Sequence, residues 1–188
     1  MFSLLPASPM SGAVPSLWLV VGLGNPGKKY AHTRHTLGAR VVHALRESLR
    51  QPALRVSRAL RSRVSHGEYF LVVPTTFMNE SGQAVRLLLK KYLIPLDRLL
   101  IVHDDKDLAF GTMKLQKGRS SAGHRGVQSV IDTLGSKDFW RFRLGIEAPP
   151  NGAAVDAYVL HAFTELEEAA LSRDVIPRAV EALRQQIS

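Results

Sequence analysis

The sequence predicts an α/β fold: a three-layer sandwich with a mixed, mostly parallel twisted sheet flanked by helices. Three observations carry this. Short apolar runs such as "LWLVVG" and "RLLIVH" read as buried strands. Between them lie stretches with apolar residues at helical spacing. The two kinds alternate along the chain, the order expected of strand–helix–strand units. With 188 residues, 45% of them hydrophobic, the chain has the length of one domain and enough apolar mass for one core.

Each element follows from its own pattern. Residues 17–21 form a short apolar run ending at Gly22, which suits a buried strand. Residues 36–49 place Leu37, Val41, Val42, Leu45 and Leu49 on one helical face. Residues 64–73 hold Tyr69, Phe70, Leu71, Val72 and Val73 and read as one strand that Pro74 stops. Residues 81–92 are helical through Val85, Leu88 and Leu89, and 98–103 form another buried strand. Residues 112–117 alternate polar and apolar, as a half-exposed strand does. Val127, Val130, Ile131 and Leu134 set a helix over 126–134, and "RFRLGI" alternates again. The tail from Thr164 is a polar-faced helix with a break expected at Pro177.

Residues 1–16, "MFSLLPASPMSGAVPS", carry no charge and are rich in Ser, Pro and small residues, so a disordered leader is expected before a single domain over 17–188. A transit peptide is acid-poor and Arg-rich. This leader meets only the first condition, which makes a mitochondrial location the expectation and a cytoplasmic one the alternative. No apolar run approaches the ~18 residues a membrane helix needs, so no membrane partner is expected. There is no cysteine, which excludes disulfides, thiol catalysis and Cys-based zinc sites.

The formal net charge is +9, and the basic residues cluster. Arg46, Arg50, Arg55, Arg58, Arg61 and Arg63 fall in one short stretch; Lys106, Lys114, Lys117, Arg119, Arg125, Arg141 and Arg143 fall in the second half. Either a solvated basic surface or a nucleic-acid partner accounts for this.

In an α/β fold the loops after the strands gather on one edge and form the site. Here they are 22–34, 74–79 and 103–111. The first contains "GLGNPG", a literal G-x-G-x-x-G. A dinucleotide turn needs a helix to start within the glycines and an acidic residue about 20 positions on. Neither condition is met, since a polar loop runs on to Leu37 and Glu47 sits inside the predicted helix. "GRSSAG" is not G-x-S-x-G, because Ala122 occupies the last Gly position. There is no H-E-x-x-H, and the His spacing suggests no metal site. What remains is His, Asp and Asn in converging loops.

Three ordered stretches, "GLGNPGKKYAHTRHTLG", "PTTFMNESG" and "HDDKDLAFGTMKLQKGRSSAGHRGVQS", together with "RFRLGIE", resemble the bacterial-type peptidyl-tRNA hydrolase family over about residues 17–163. The resemblance implies hydrolysis of the ester between a peptide and the tRNA 3′ end, with no metal, cofactor or covalent intermediate, by a monomer that engages the acceptor stem and CCA end of peptidyl-tRNA. It implies that His35 activates water and that Asp104 orients the imidazole. It implies that the amides of Asn25 and Asn79 position the peptide, an arrangement that suits an acylated amino group over a free ammonium. Phe77 and Met78 resemble an apolar wall beside the peptide, and Tyr30 a tRNA-contacting tyrosine. Arg143 matches a phosphate-clamp arginine. The partner lysine of that clamp falls at Gln116, with Lys114 and Lys117 beside it as substitutes.

Two departures stand out. Thr36 and Arg125 occupy positions where the family carries Asn. Arg125 cannot accept a hydrogen bond but can contact a phosphate or an oxyanion, so altered substrate handling is expected rather than lost activity. Asp105 and Asp107 are expected to be loop residues facing solvent. The competing readings are a non-catalytic RNA-binding relative of the same fold and, far behind, a nucleotide-dependent oxidoreductase.

Overall fold

The computed structural model describes residues 17–149 and 153–188. The expected leader, 1–16, lies outside the described residues. Seven strands form one sheet: β1 Leu19–Gly22, β2 Arg55–Ser57, β3 Ser62–His66, β4 Phe70–Pro74, β5 Leu99–Asp105, β6 Met113–Lys117 and β7 Trp140–Gly145. Their order is β2-β3-β4-β1-β5-β7-β6. The centre, β4-β1-β5-β7, is parallel, while β2, β3 and β6 add antiparallel pairings at the two edges. The sheet is therefore mixed, and parallel only in its central four strands.

Part of that antiparallel content comes from a turn inside the run read as one strand. Residues 64–73 belong to two strands, β3 and β4, that pair His66 with Phe70 across a tight connection at Gly67. The Gly67 N–H closes it on the Tyr69 carbonyl. β2 is short and largely exposed, and no apolar pattern announces it.

The parallel strands are buried on both faces, which is why they read as continuous apolar runs. Val20, Leu71, Leu100, Val102, Phe142 and Leu144 pack under α1 (Leu37–Ser48). Leu19, Val21, Val72, Leu99 and Ile101 face the opposite way, under α2 (Ser81–Tyr92) and α3 (Arg125–Leu134). Helix α1 approaches the sheet closely at Gly38, where a β-carbon would lie 2.2 Å from the Val102 carbonyl oxygen. After β7 come a one-turn helix, α4 (Val155–Tyr158), then α5 (Glu165–Ala170) and α6 (Ile176–Ile187).

Thr164 starts α5 through a capping box with Glu167. The break expected at Pro177 does not occur. A π-helical turn, Leu171–Val175, joins α5 to α6, and Pro177 falls in the first turn of α6. The wider turn eases the ring past the preceding carbonyls, and the missing N–H falls where the hydrogen-bond pattern already changes. Leu171, Val175, Ala179 and Leu183 then pack beside α1. No helix among the described residues is long and apolar enough to cross a membrane.

Candidate active site

The site lies above the C-terminal ends of β1, β4 and β5. Its centre is Asp104, near the end of β5 and only 2% exposed. His35 sits on a 3-10 turn, Arg34–Thr36, directly before α1. Its Nδ1 is 3.0 and 3.1 Å from the two Asp104 oxygens. A second imidazole reaches the same carboxylate: His124 Nε2 is 3.1 Å from Asp104 Oδ1. The His35 and His124 rings lie 4.7 Å apart.

The tautomers follow from the partners. The Val127 N–H donates to His124 Nδ1 at 3.2 Å, so that nitrogen is the acceptor and Nε2 carries the proton given to Asp104. Burial works to raise the Asp104 carboxyl. The pull of His35 and His124 and their hydrogen bonds outweighs it, and the group stays far below the usual carboxylate range. An ionised carboxylate only accepts, so His35 donates from Nδ1. In the neutral ring that makes Nε2 the acceptor nitrogen.

The His35 turn is clamped from the C-terminal side of the chain. Its N–H donates to the Val159 carbonyl at 2.8 Å. Arg34 donates to both Glu167 oxygens at 2.8 Å and to the Ala162 carbonyl at 2.6 Å. The guanidinium lies over the rings of Tyr158 and Phe163.

An open groove begins at His35 and is lined by Asn25, Phe77, Met78, Asn79 and Leu160. The Asn25 side-chain oxygen accepts from the Met78 N–H at 2.9 Å, which commits the oxygen and leaves the amide N–H groups to donate. Met78 is buried as part of the wall, and Phe77 is 55% exposed at the rim. Asn79 is exposed beside it. Tyr30 stands apart from this groove, on the Lys28–Tyr30 turn with the Lys29 ammonium over its ring.

Several expected residues are placed differently. Arg143 is 4% exposed, its Nε donates to Asp105 at 2.6 Å, and its other arm holds Gln116. So engaged, it is a buried structural ion pair rather than an open phosphate clamp. Asp105, expected in solvent, is buried for the same reason. Lys114 pairs in register with Arg143 and shares the sheet face of Gln116. Lys117, an odd number of residues away, points to the other face, near Asp138 and the Trp140 ring, so it does not substitute at Gln116. Arg125 is exposed at the mouth of the site, where it pairs with the equally exposed Asp156 of α4.

His124 and Arg34 were not singled out by sequence reasoning. His124 lies inside the third family-like stretch, "HDDKDLAFGTMKLQKGRSSAGHRGVQS", and only the fold shows that this N-cap of α3 reaches Asp104. Among the described residues, His35, Asp104 and His124 are the group whose ligand atoms lie close enough for one metal ion, within 4.8 Å. The geometry fits hydrogen bonding instead, because the Val127 N–H leaves His124 Nε2 protonated.

His103 is buried under this cluster and donates from Nδ1 to the Asp104 carbonyl at 2.7 Å. Burial, then the nearby His124, hold it well below its ordinary value, despite the pull of Asp104. A group depressed on folding adds stability above its unfolded value, about 6.5, and that contribution is lost as pH falls below it. His43 is lowered too and acts with the same sign. Thermal stability is therefore expected to fall between about pH 7 and about pH 5.5, less steeply in His103→Asn. Equal slopes in melting curves of the two proteins would sink this.

The site thus brings together a buried carboxylate, an imidazole bonded to it and side-chain amides along an open groove, the set of groups a hydrolase uses on an ester. The profile of the family described as Peptidyl-tRNA hydrolase matches residues 19–188. The chain is 43% identical over 168 residues to the peptidyl-tRNA hydrolase of Syntrophomonas wolfei, covering 88% of this chain and 90% of that one. It is 42% identical over 174 residues to that of Aquifex aeolicus, covering 90% and 89%. The crystal structure of peptidyl-tRNA hydrolase from Acinetobacter baumannii superposes with a TM-score of 0.80 at 29% identity, over 92% of each chain. The chain belongs to the peptidyl-tRNA hydrolase family.

Proposed function

We propose that this protein hydrolyses the ester joining a peptide, or an N-blocked amino acid, to the 3′ end of tRNA. The observation that carries the mechanism is the hydrogen-bond chain Val127 N–H to His124 to Asp104 to His35, which leaves His35 Nε2 as the base. That nitrogen takes a proton from water as the oxygen attacks the ester carbonyl. The Asn25 amide donates to the carbonyl oxygen as it gains charge. The imidazolium then returns the proton to the departing ribose hydroxyl, giving a free peptide acid and tRNA. Asp104 stabilises the imidazolium and holds its ring. The amide-lined groove takes the peptide, and Asn79 and Phe77 supply its rim. The exposed Lys114 and the loop cation Arg119 meet phosphates of the acceptor stem, where contacts position the substrate and carry little sequence information.

The test is single-turnover hydrolysis of N-acetylated aminoacyl-tRNA beside its unblocked counterpart. Fast release is expected from the blocked substrate only, because neutral amides accommodate an acylated nitrogen and desolvate an ammonium poorly. Tight binding with no release from either substrate would overturn the hydrolase reading and leave an RNA-binding relative.

A further inference from the structure

A second, open cavity of about 360 Å³ also has Asn25 in its wall. Its wall includes Lys28, Thr36, Arg40, His43, Arg63 and Thr75. No carboxylate lines it among the described residues. Arg40 is committed to Glu168, at 2.6 and 2.9 Å. Lys28 and Arg63 are exposed and have no ion-pair partner among the described residues. The cavity's charge is felt inside it: burial first, then Arg63 and Arg46, disfavour a proton on His43. Thr36 belongs to this wall, and its hydroxyl is 3.2 Å from that of Thr33. The departure from the family at Thr36 therefore shapes the cavity as well as the neighbourhood of His35.

Asn25 lines both this cavity and the groove that starts at His35. A chain esterified beside His35 and laid along the groove over Asn25 is thus led to Lys28 and Arg63. We propose that the basic cavity is an acid-selective subsite, which takes the carboxylate of a Glu or Asp side chain in the peptide a few residues upstream of the ester. The inference rests on the proposed peptidyl-tRNA reading and adds a peptide preference to it. Two unpaired cations in a recess without a carboxylate favour one anionic side chain over its neutral isostere. The other candidate anion, RNA, has basic β6 at the opposite edge of the sheet for its phosphates.

The experiment compares N-acetylated tripeptidyl-tRNAs that differ only in Glu or Gln at the two residues upstream of the ester. Both are assayed with the wild-type protein and with the Lys28→Gln, Arg63→Gln double variant. The wild type is expected to show a kcat/KM about tenfold higher for a Glu peptide. The double variant is expected to lose that preference while changing less than twofold on the Gln peptide. Equal rates for Glu and Gln in the wild type would overturn the proposal. So would an equal loss on both substrates in the variant, accompanied by a weaker salt dependence, because the cations would then serve RNA phosphates. A wild-type protein that releases neither peptide would instead strike at the hydrolase reading, which the Gln substrate reports independently.

Discussion

His35→Ala is expected to lower the single-turnover rate by about 10²–10⁴-fold, the usual contribution of a positioned acid–base group. KM should hardly move, because His35 is 7% exposed and the groove's walls come from other residues. Asp104→Asn is expected to fall in the same range for a different reason. An Asn amide facing Nδ1 donates to it and so places the imidazole proton on Nε2, the atom that must accept from water. His124 keeps an acceptor in this variant, since the amide oxygen then occupies the Oδ1 position it bonds. A loss below tenfold in His35→Ala would show that water is activated elsewhere. A loss confined to KM in Asp104→Asn would refute the tautomer argument.

The second large effect concerns the frame under the site. Gly38→Ala is expected to destabilise the protein by about 3 kcal/mol, lowering Tm by roughly 10 °C. The added methyl would lie 2.2 Å from the Val102 carbonyl oxygen and 3.0 Å from the Leu23 nitrogen, both backbone atoms that cannot rotate away. Relief requires α1 to lift from β5, and the start of α1 carries His35 toward Asp104. Activity should therefore drop even at temperatures where the variant is folded. Gly27→Ala is the matched control. It meets nothing within 4 Å but holds φ at +102°, so it costs backbone strain alone, of order 1 kcal/mol. Equal Tm values for the two variants would remove the case for close contact.

The sequence was most readable where one kind of force acts alone. Strands β1 and β5 are continuous apolar runs because both faces are covered, and helices α1, α2 and α3 show their buried stripes plainly. The β3–β4 hairpin was hidden because its tip, Gly67, Glu68 and Tyr69, is shorter than the apolar pattern around it. β2 pairs by backbone alone and exposes its side chains, so composition carries no trace of it. In the site, the family motifs bring His35, Asp104, Asn25, Phe77, Met78 and Asn79 to one place. What the motifs do not contain is pairing across the fold. Arg143 reads as a surface cation until Asp105 and Gln116 are seen to hold it. The protonation pattern of His124 depends on one backbone N–H three residues ahead, a contact that exists only once α3 has formed.

The Arg34 clamp gives the molecule a temporal property. The turn that bears His35 is tied by backbone bonds to Val159 and His161, bridges Thr33 to Ala162, and is anchored by a bidentate ion pair to Glu167. More than a hundred residues separate the two sides of that junction. During synthesis, the first half of the chain can emerge with every groove residue from Asn25 to Asn79 present and still lack a fixed base. On the proposed mechanism, a chain cut short before Val159 is therefore expected to be inactive, because the His35 turn has nothing to dock against.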